Sequence, residues 1–413
     1  MTLIKTSILS GISTFIKIIS SFIINKIVAL YVGSSGLAII GQFQNFISII
    51  MTFSNGATSQ GIVKYTAQYQ TMEEKQKIFS TSVSIRLICS FIISIILLIF
   101  AGYLSNLILK TPEFGSVFRL FGLTIFLFSL NTVLISILNG QKEIKKYTIV
   151  NICGSLVSLV ITSSLVYFLN LFGALYAMVI NQSIVFFVTL FFVIKSNWFK
   201  FEYFKHFIDK DSFLKLSKYS LMAIVSASVV PVSHLFIRNY LGENLGWDSA
   251  GYWQGIWYIS TMYLMLVTTT LGVYYLPRLS EIVDKNELKS EIIYGYKIVM
   301  PIVFLSALAI FLLKDYIILI AFSNEFMPMR DLFAWQMIGD CIKIASWLLS
   351  YLMLAKAMTK LFIFSEIFFS VSFVLLCVCF VNLYGLVGMT YAYSLNYTIY
   401  FIFVIFVFKG KFL

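Results

Sequence analysis

Apolar runs of about twenty residues, separated by short clusters of charge, glycine, asparagine or proline, fill nearly the whole chain. A helix rises about 1.5 Å per residue, so runs of that length match a hydrocarbon layer about 30 Å thick. The pattern predicts spans near 8–32, 37–60, 83–108, 116–139, 146–169 and 173–194. A second set follows near 214–240, 250–275, 294–313, 331–354, 361–381 and 384–408, giving twelve transmembrane helices in an all-α integral membrane protein.

Composition supports this reading. Of 413 residues 60% are hydrophobic, 17% aromatic and only 12% charged, about half the charge of a soluble protein, which leaves no room for a soluble domain of ordinary size. No outer loop exceeds about twenty residues, so there is no platform for a catalytic domain. With the N-terminus inside, most of the 30 lysines and arginines fall on one side, including Lys75, Arg86, Lys142, Lys195, Lys285 and Lys409. Positive-inside bias therefore predicts both termini in the cytoplasm, and the net charge of +12 reports topology and not nucleic-acid binding. Lys5 and the long run after it, without a small-residue cleavage site, predict a retained first span. The five cysteines fall in apolar segments without paired spacing, so neither disulfides nor a metal site is expected. Residues 197–213, mixing aromatics and lysines, predict an interfacial helix.

A weak internal repeat divides the chain. Asn170 and Gly173 answer Asn382 and Gly385, and Asn181 answers Asn396 after a short insertion; Gly36 and Gly251 lie the same interval apart as the last pair. Duplication of a six-helix unit explains this, with bundles at 1–205 and 206–413. An even span count gives both copies one orientation, so a pseudo-twofold axis would run along the membrane normal, the geometry of transporters that rock two halves about a central site.

Polar residues inside the spans carry the candidate chemistry. In the first, Ser10, Ser13, Thr14, Lys17, Ser20, Ser21 and Asn25 recur mostly at three- and four-residue spacing and form a stripe. A lysine at mid-membrane costs about 2.5–3.5 kcal/mol on insertion scales, so Lys17 is expected to face a polar interior and an anionic passenger. Lys26 lies about 180° round the helix and either snorkels or joins that interior. His234 and Arg238 share a face near Pro231, as packing and anchoring residues or as interior groups. Asp340 and Lys343, spaced i,i+3, read as an ion pair; Glu366 either accepts a hydrogen bond or, like Asp340, titrates or binds a cation such as H+ or Na+ during transport. No P-loop, HExxH helix or nucleophile elbow is present, and no cofactor is expected.

The runs STFIKIISSFIINK at 13–26, GIVKYTAQY at 61–69, WDSAGYWQG at 247–255, VYYLPRLS at 273–280 and MRDLFAWQMIGDCIK at 329–343 resemble the bacterial O-antigen translocases. These are the lipid-linked oligosaccharide flippases of the multidrug/oligosaccharidyl-lipid/polysaccharide exporter superfamily, and the resemblance is nearest to the branch that includes the enterobacterial common antigen flippase. It implies a multi-pass protein of the bacterial inner membrane that moves an undecaprenyl-pyrophosphate-linked glycan to the outer leaflet, with other polysaccharide-assembly proteins as partners. The family's cationic lumen residues would map onto Lys17, Lys26, Lys64, Arg238 and Lys343; His234 matches no family motif. A cationic cavity would replace water around the pyrophosphate, and Tyr252, Trp253, Gln254, Trp257 and Tyr258 would contact sugars. The alternatives are a drug/cation antiporter of the same superfamily, which should carry more acidic groups, and a membrane enzyme of polysaccharide assembly. A peptidoglycan-precursor flippase usually has two further spans.

Overall fold

The computed structural model describes residues 3–204, 208–282, 284–356 and 358–409. Every regular element among them is helical. The first helix, α1 (Leu3–Ser54), is 52 residues long and breaks at Gly33, where φ is 73° and ψ is −172°. Unbroken, it would reach roughly 78 Å, more than twice the hydrocarbon thickness. Glycine suits the break because φ > 0 strains any residue with a Cβ.

Helix α2 (Ser59–Gln68) follows, then α3 (Met72–Ile99), α4 (Ala101–Leu109), α5 (Gly115–Gly140) and α6 (Ile144–Ile194). At the start of α3 the Thr71 hydroxyl accepts from the Glu74 backbone and donates to its side chain, a reciprocal cap. Helix α6 breaks at Asn170, with φ 48° and ψ −125°. The expected interfacial helix at 197–213 is instead an aromatic turn: Phe201–Phe204 is 3₁₀, Phe204 stacks on Phe79 at 5.9 Å and Trp198 packs against the same ring. Trp198, Tyr203 and Phe204 are half-buried, Phe201 and Phe213 stay exposed, and α7 has already begun by Lys210; residues 205–207 lie outside the described residues.

Helix α7 (Lys210–Leu245) contains Pro231; α8 (Trp247–Thr270) runs through a π-helical turn at Leu271–Tyr275 into α9 (Leu276–Glu281). Then come α10 (Lys285–Leu312), α11 (Lys314–Ala321), a 3₁₀ stretch at Asn324–Leu332, α12 (Phe333–Ala355), α13 (Thr359–Tyr384) and α14 (Gly388–Lys409).

Seven helical stretches among the described residues are long and apolar enough to cross a membrane: Gly11–Ser54, Met72–Ile99, Pro112–Gly140, Ile144–Ile194, Lys285–Leu312, Asn324–Ala355 and Thr359–Lys409. Three of them run to 44 or 51 residues and contain the breaks at Gly33, Asn170 and Gly385. The expected spans at 214–240 and 250–275 fall on α7 and α8, which are helical but are not among the seven.

The chain forms two compact units, Met1–Val32 with Ile39–Val232, and Gly33–Ala38 with Ser233–Leu413. The expected boundary at 205–206 lies outside the described residues, and the chain passes from one unit to the other inside α7, just after Pro231. Gly33–Ala38 belongs to the second unit through Ser34. Its backbone N–H donates to Glu325 at 3.0 Å, and its hydroxyl lies 2.6 Å from both Asp248 and Glu325.

The structure revises the register of the internal repeat. Asn170 in α6 corresponds to Gly385, both at positive φ. Three residues on, Gly173 and Gly388 are the close-approach points: an added Cβ would lie 1.9 Å from the Leu165 carbonyl oxygen and 2.1 Å from that of Phe380. Eight residues further, Asn181 and Asn396 are both buried. All three pairs lie 215 positions apart with no insertion, an interval shared by Gly36 and Gly251.

Candidate functional site

In the second unit, α7 presents His234 and Arg238 on one face, one turn apart, to the aromatic face of α8. The His234 ring sits edge-on to Trp257 at 4.5 Å and beside Trp253 at 5.4 Å. Arg238, only 2% exposed, places its guanidinium over Trp253 at 5.3 Å and donates to the Gln254 side chain. The arginine is thus buried against α8. Gln254 fixes its direction while the indole face supplies favourable electrostatics of about 0.5–2 kcal/mol.

Helix α12 carries Asp340 and Lys343. Asp340 is fully buried and accepts from the hydroxyls of Tyr263 on α8 at 3.0 Å and Tyr393 on α14 at 2.7 Å. The close approach of α14 that allows this depends on Gly339, where a Cβ would lie 2.4 Å from the Tyr393 ring. One turn on, the Lys343 ammonium is surrounded by four rings, Trp347 at 5.0 Å, Trp257 at 5.2 Å, Tyr397 at 5.6 Å and Tyr393 at 6.0 Å. The acid takes hydrogen bonds from phenolic donors and the ammonium lies among π faces, while the two charges also act on each other electrostatically. Trp257 connects the group, touching His234, Trp253, Tyr393 and Lys343.

Other expected residues lie at the edge of this cluster or apart from it. Glu366 is half-buried on α13, within electrostatic range of Tyr397 and Tyr400. Tyr252 points away from its neighbour Trp253, with its ring 6.0 Å from Phe326. Tyr258 is half-buried and interacts with Gln254 and Arg238. In the first unit Lys17 is exposed, Lys26 half-buried, and Lys64 exposed over the Tyr65 ring at 5.6 Å; of the polar stripe, Ser20 and Asn25 are buried.

Sequence reasoning assigned Arg86 to topology, yet it is fully buried. One terminal nitrogen donates to Asn55 Oδ1 at 3.0 Å, the Ser129 carbonyl at 3.2 Å and the Thr132 hydroxyl; the other donates to Ser59 Oγ at 2.8 Å. Every acceptor is neutral. The signal was present: Arg86 sits inside the predicted span 83–108, flanked by Ser82, Ser84 and Ser90, the same pattern that singled out Lys17. Among the described residues no three His, Cys, Asp or Glu side chains converge as metal ligands.

Residues 3–283 match a family described as polysaccharide biosynthesis protein. The Lipid III flippase of Escherichia coli (strain K12) is 28% identical over 402 residues, covering 97% of both chains. Among solved structures, a multidrug resistance MATE family transporter of the MOP superfamily in an inward-facing conformation superposes with a TM-score of 0.80, at 15% identity over 97% of this chain and 94% of that one. The lipid II flippase MurJ in an inward closed conformation gives a TM-score of 0.74, at 16% identity over 98% of this chain and 87% of that one. These likenesses establish a transporter fold, and the relatives are named for moving molecules, not for converting them.

Proposed function

The chain belongs to the polysaccharide biosynthesis protein family, and from that premise we propose that it flips an undecaprenyl-pyrophosphate-linked oligosaccharide, an O-antigen or related surface-glycan repeat unit, to the periplasmic leaflet by alternating access. In this reading twelve spans in two six-helix bundles cross the bacterial inner membrane with both termini in the cytoplasm. The observation that carries it is the cationic cluster of buried Arg238 and half-buried Lys343, held on aromatic faces inside apolar helices. Two cations beside one carboxylate that is already engaged by two tyrosine hydroxyls suit an anionic headgroup. Full-length similarity to a lipid III flippase supports a lipid-linked glycan.

Each residue then has a task. In the second unit Lys343 and Arg238 receive the pyrophosphate; Lys17, Lys26 and Lys64 are the candidate cations of the first unit. The indoles of Trp253 and Trp257 offer sugar rings an apolar face, Gln254 and Tyr258 offer hydrogen bonds, and Tyr252 acts from a separate face of α8. Asp340 and Glu366 are the candidates for coupling to H+ or Na+, and His234 tunes the indole pair. A drug/cation antiporter should wrap aromatic rings around an incoming cation, but here the rings hold the protein's own lysine.

Flipping in proteoliposomes tests the proposal. Purified protein should move a fluorescent undecaprenyl-pyrophosphate oligosaccharide between leaflets, and charge reversal at Arg238 should remove that activity. Efflux of cationic drugs with no glycan movement would establish the antiporter instead.

A further inference from the structure

In the second-unit cluster most polar side chains already have partners. Arg238 donates to Gln254, and Asp340 accepts from Tyr263 and Tyr393. His234 is different. It is only 6% exposed, yet its ring takes part in no hydrogen bond among the described residues. Three rings pack around it: Trp257 with centroids 4.5 Å apart and planes at 89°, Trp253 at 5.4 Å and 65°, and Phe373 at 6.4 Å and 60°. An imidazole carries donor and acceptor positions in one plane, and a surround that leaves them unpaired opposes its burial. Phenylalanine would fill the same space without that penalty, so packing alone does not account for a histidine here.

The charged groups that act on His234 are Arg238 and Lys343, both cationic. With no carboxylate among them to exchange a proton, the ring is suited to hydrogen bonding and not to a relay. Trp257 ties it to Lys343, whose ammonium lies 5.2 Å from the same indole. Around this indole, Trp253, His234 and Arg238 are buried, whereas Trp257 and Lys343 are half-buried. The accessible side of the cluster therefore presents an aromatic face with a cation at one edge and an unpaired imidazole at another.

We infer that His234 is a specificity-determining residue that hydrogen-bonds the sugar next to the pyrophosphate, an inference that rests on the function proposed above. A pyranose suits this place: its rim hydroxyls pair with a planar donor–acceptor group, and its apolar C–H face lies on an aromatic ring. Lys343 takes the phosphate, Trp257 packs against the sugar face, and His234 reads a hydroxyl on the side away from the ammonium.

The test is titration of the full-length protein in detergent with two lipids, undecaprenyl-pyrophosphate oligosaccharide and undecaprenyl pyrophosphate alone. Wild type should bind the first about tenfold more tightly. His234→Phe keeps a ring between the indoles but removes donor and acceptor, and should lose most of that preference. His234→Gln restores both groups and should recover part of it. A packing role predicts the reverse order, with phenylalanine keeping the preference and glutamine losing it. If a variant does not fold, histidine-selective ¹⁵N spectra of wild type decide. The chain has two histidines, His206→Gln assigns their signals, and the His234 ring nitrogens should shift with the glycan-bearing lipid and not with the bare one. Equal wild-type affinity for the two lipids, an unchanged preference in His234→Phe, or an unmoved His234 signal would overturn the assignment and leave flipping of a lipid pyrophosphate standing. Binding of neither lipid would instead count against the function proposed above.

Discussion

The two units use one device to reverse the chain and two different devices to keep a cation in an apolar interior. In the first, α6 breaks at Asn170 and closes tightly at Gly173; in the second, the chain breaks at Gly385 and closes at Gly388. The cations differ. Arg86 is gripped by directional hydrogen bonds to four neutral residues, whereas Lys343 rests among four rings and within electrostatic range of Asp340. Directional bonds to a planar guanidinium fix one geometry. Contacts of an ammonium with π faces tolerate several.

The shared device gives the largest expected effect. Gly173→Ala and Gly388→Ala each drive a Cβ into a backbone carbonyl and should each destabilise by about 3 kcal/mol, read as a lowered thermal unfolding midpoint in detergent. A large loss for one and none for the other would break the equivalence of the two turns. The cation sites should differ next. Tyr393→Phe removes one of the hydroxyl donors from buried Asp340 and should cost about 2 kcal/mol. Thr132→Val removes one of several acceptors from Arg86 and should cost about 1 kcal/mol, because the others remain. Equal losses would show that the second cluster is no more dependent on single contacts than the first.

The smallest effect belongs to the start of α7. Asp209 caps that helix, accepting from the Ser212 backbone at 2.8 Å, and the hydrogen bonds from Ser212 hold its exposed carboxyl below the usual range. Its contribution should be complete above the ordinary aspartate value of about 3.9 and fade as pH falls through the lower folded-state value. Asp209→Ala should cost at most about 1 kcal/mol at neutral pH, and the difference from wild type should shrink in acid, measured by unfolding at pH 7 and pH 3.

Much of this organisation was legible in the sequence because it follows from local pattern. Apolar run length marked the helices, and glycine and asparagine marked the breaks at Gly33, Asn170 and Gly385. The i,i+4 spacing of His234 and Arg238 marked their common face. The register of the repeat slipped by three because Asn170 resembles Asn382 in type, whereas the position that adopts its left-handed conformation is Gly385. Contacts distant in sequence were not legible: spacing suggested a pair of Asp340 with Lys343 but gave no sign of the hydroxyl donors Tyr263 and Tyr393, which lie on α8 and α14. Ser34 meeting Glu325 is a contact of the same kind. Arg86 was readable and was passed over, since a basic residue near a span end first suggests topology.

The central claim is that the caged lysine receives an anionic lipid headgroup, and the direct measurement compares flipping by wild type, Lys343→Arg and Lys343→Glu in proteoliposomes at matched protein content. Lys343→Arg keeps both charge and ring stacking and should retain most of the rate at which undecaprenyl-pyrophosphate oligosaccharide changes leaflet. Lys343→Glu should reduce that rate to the level of protein-free vesicles while remaining folded. Wild-type flipping by Lys343→Glu would contradict the account.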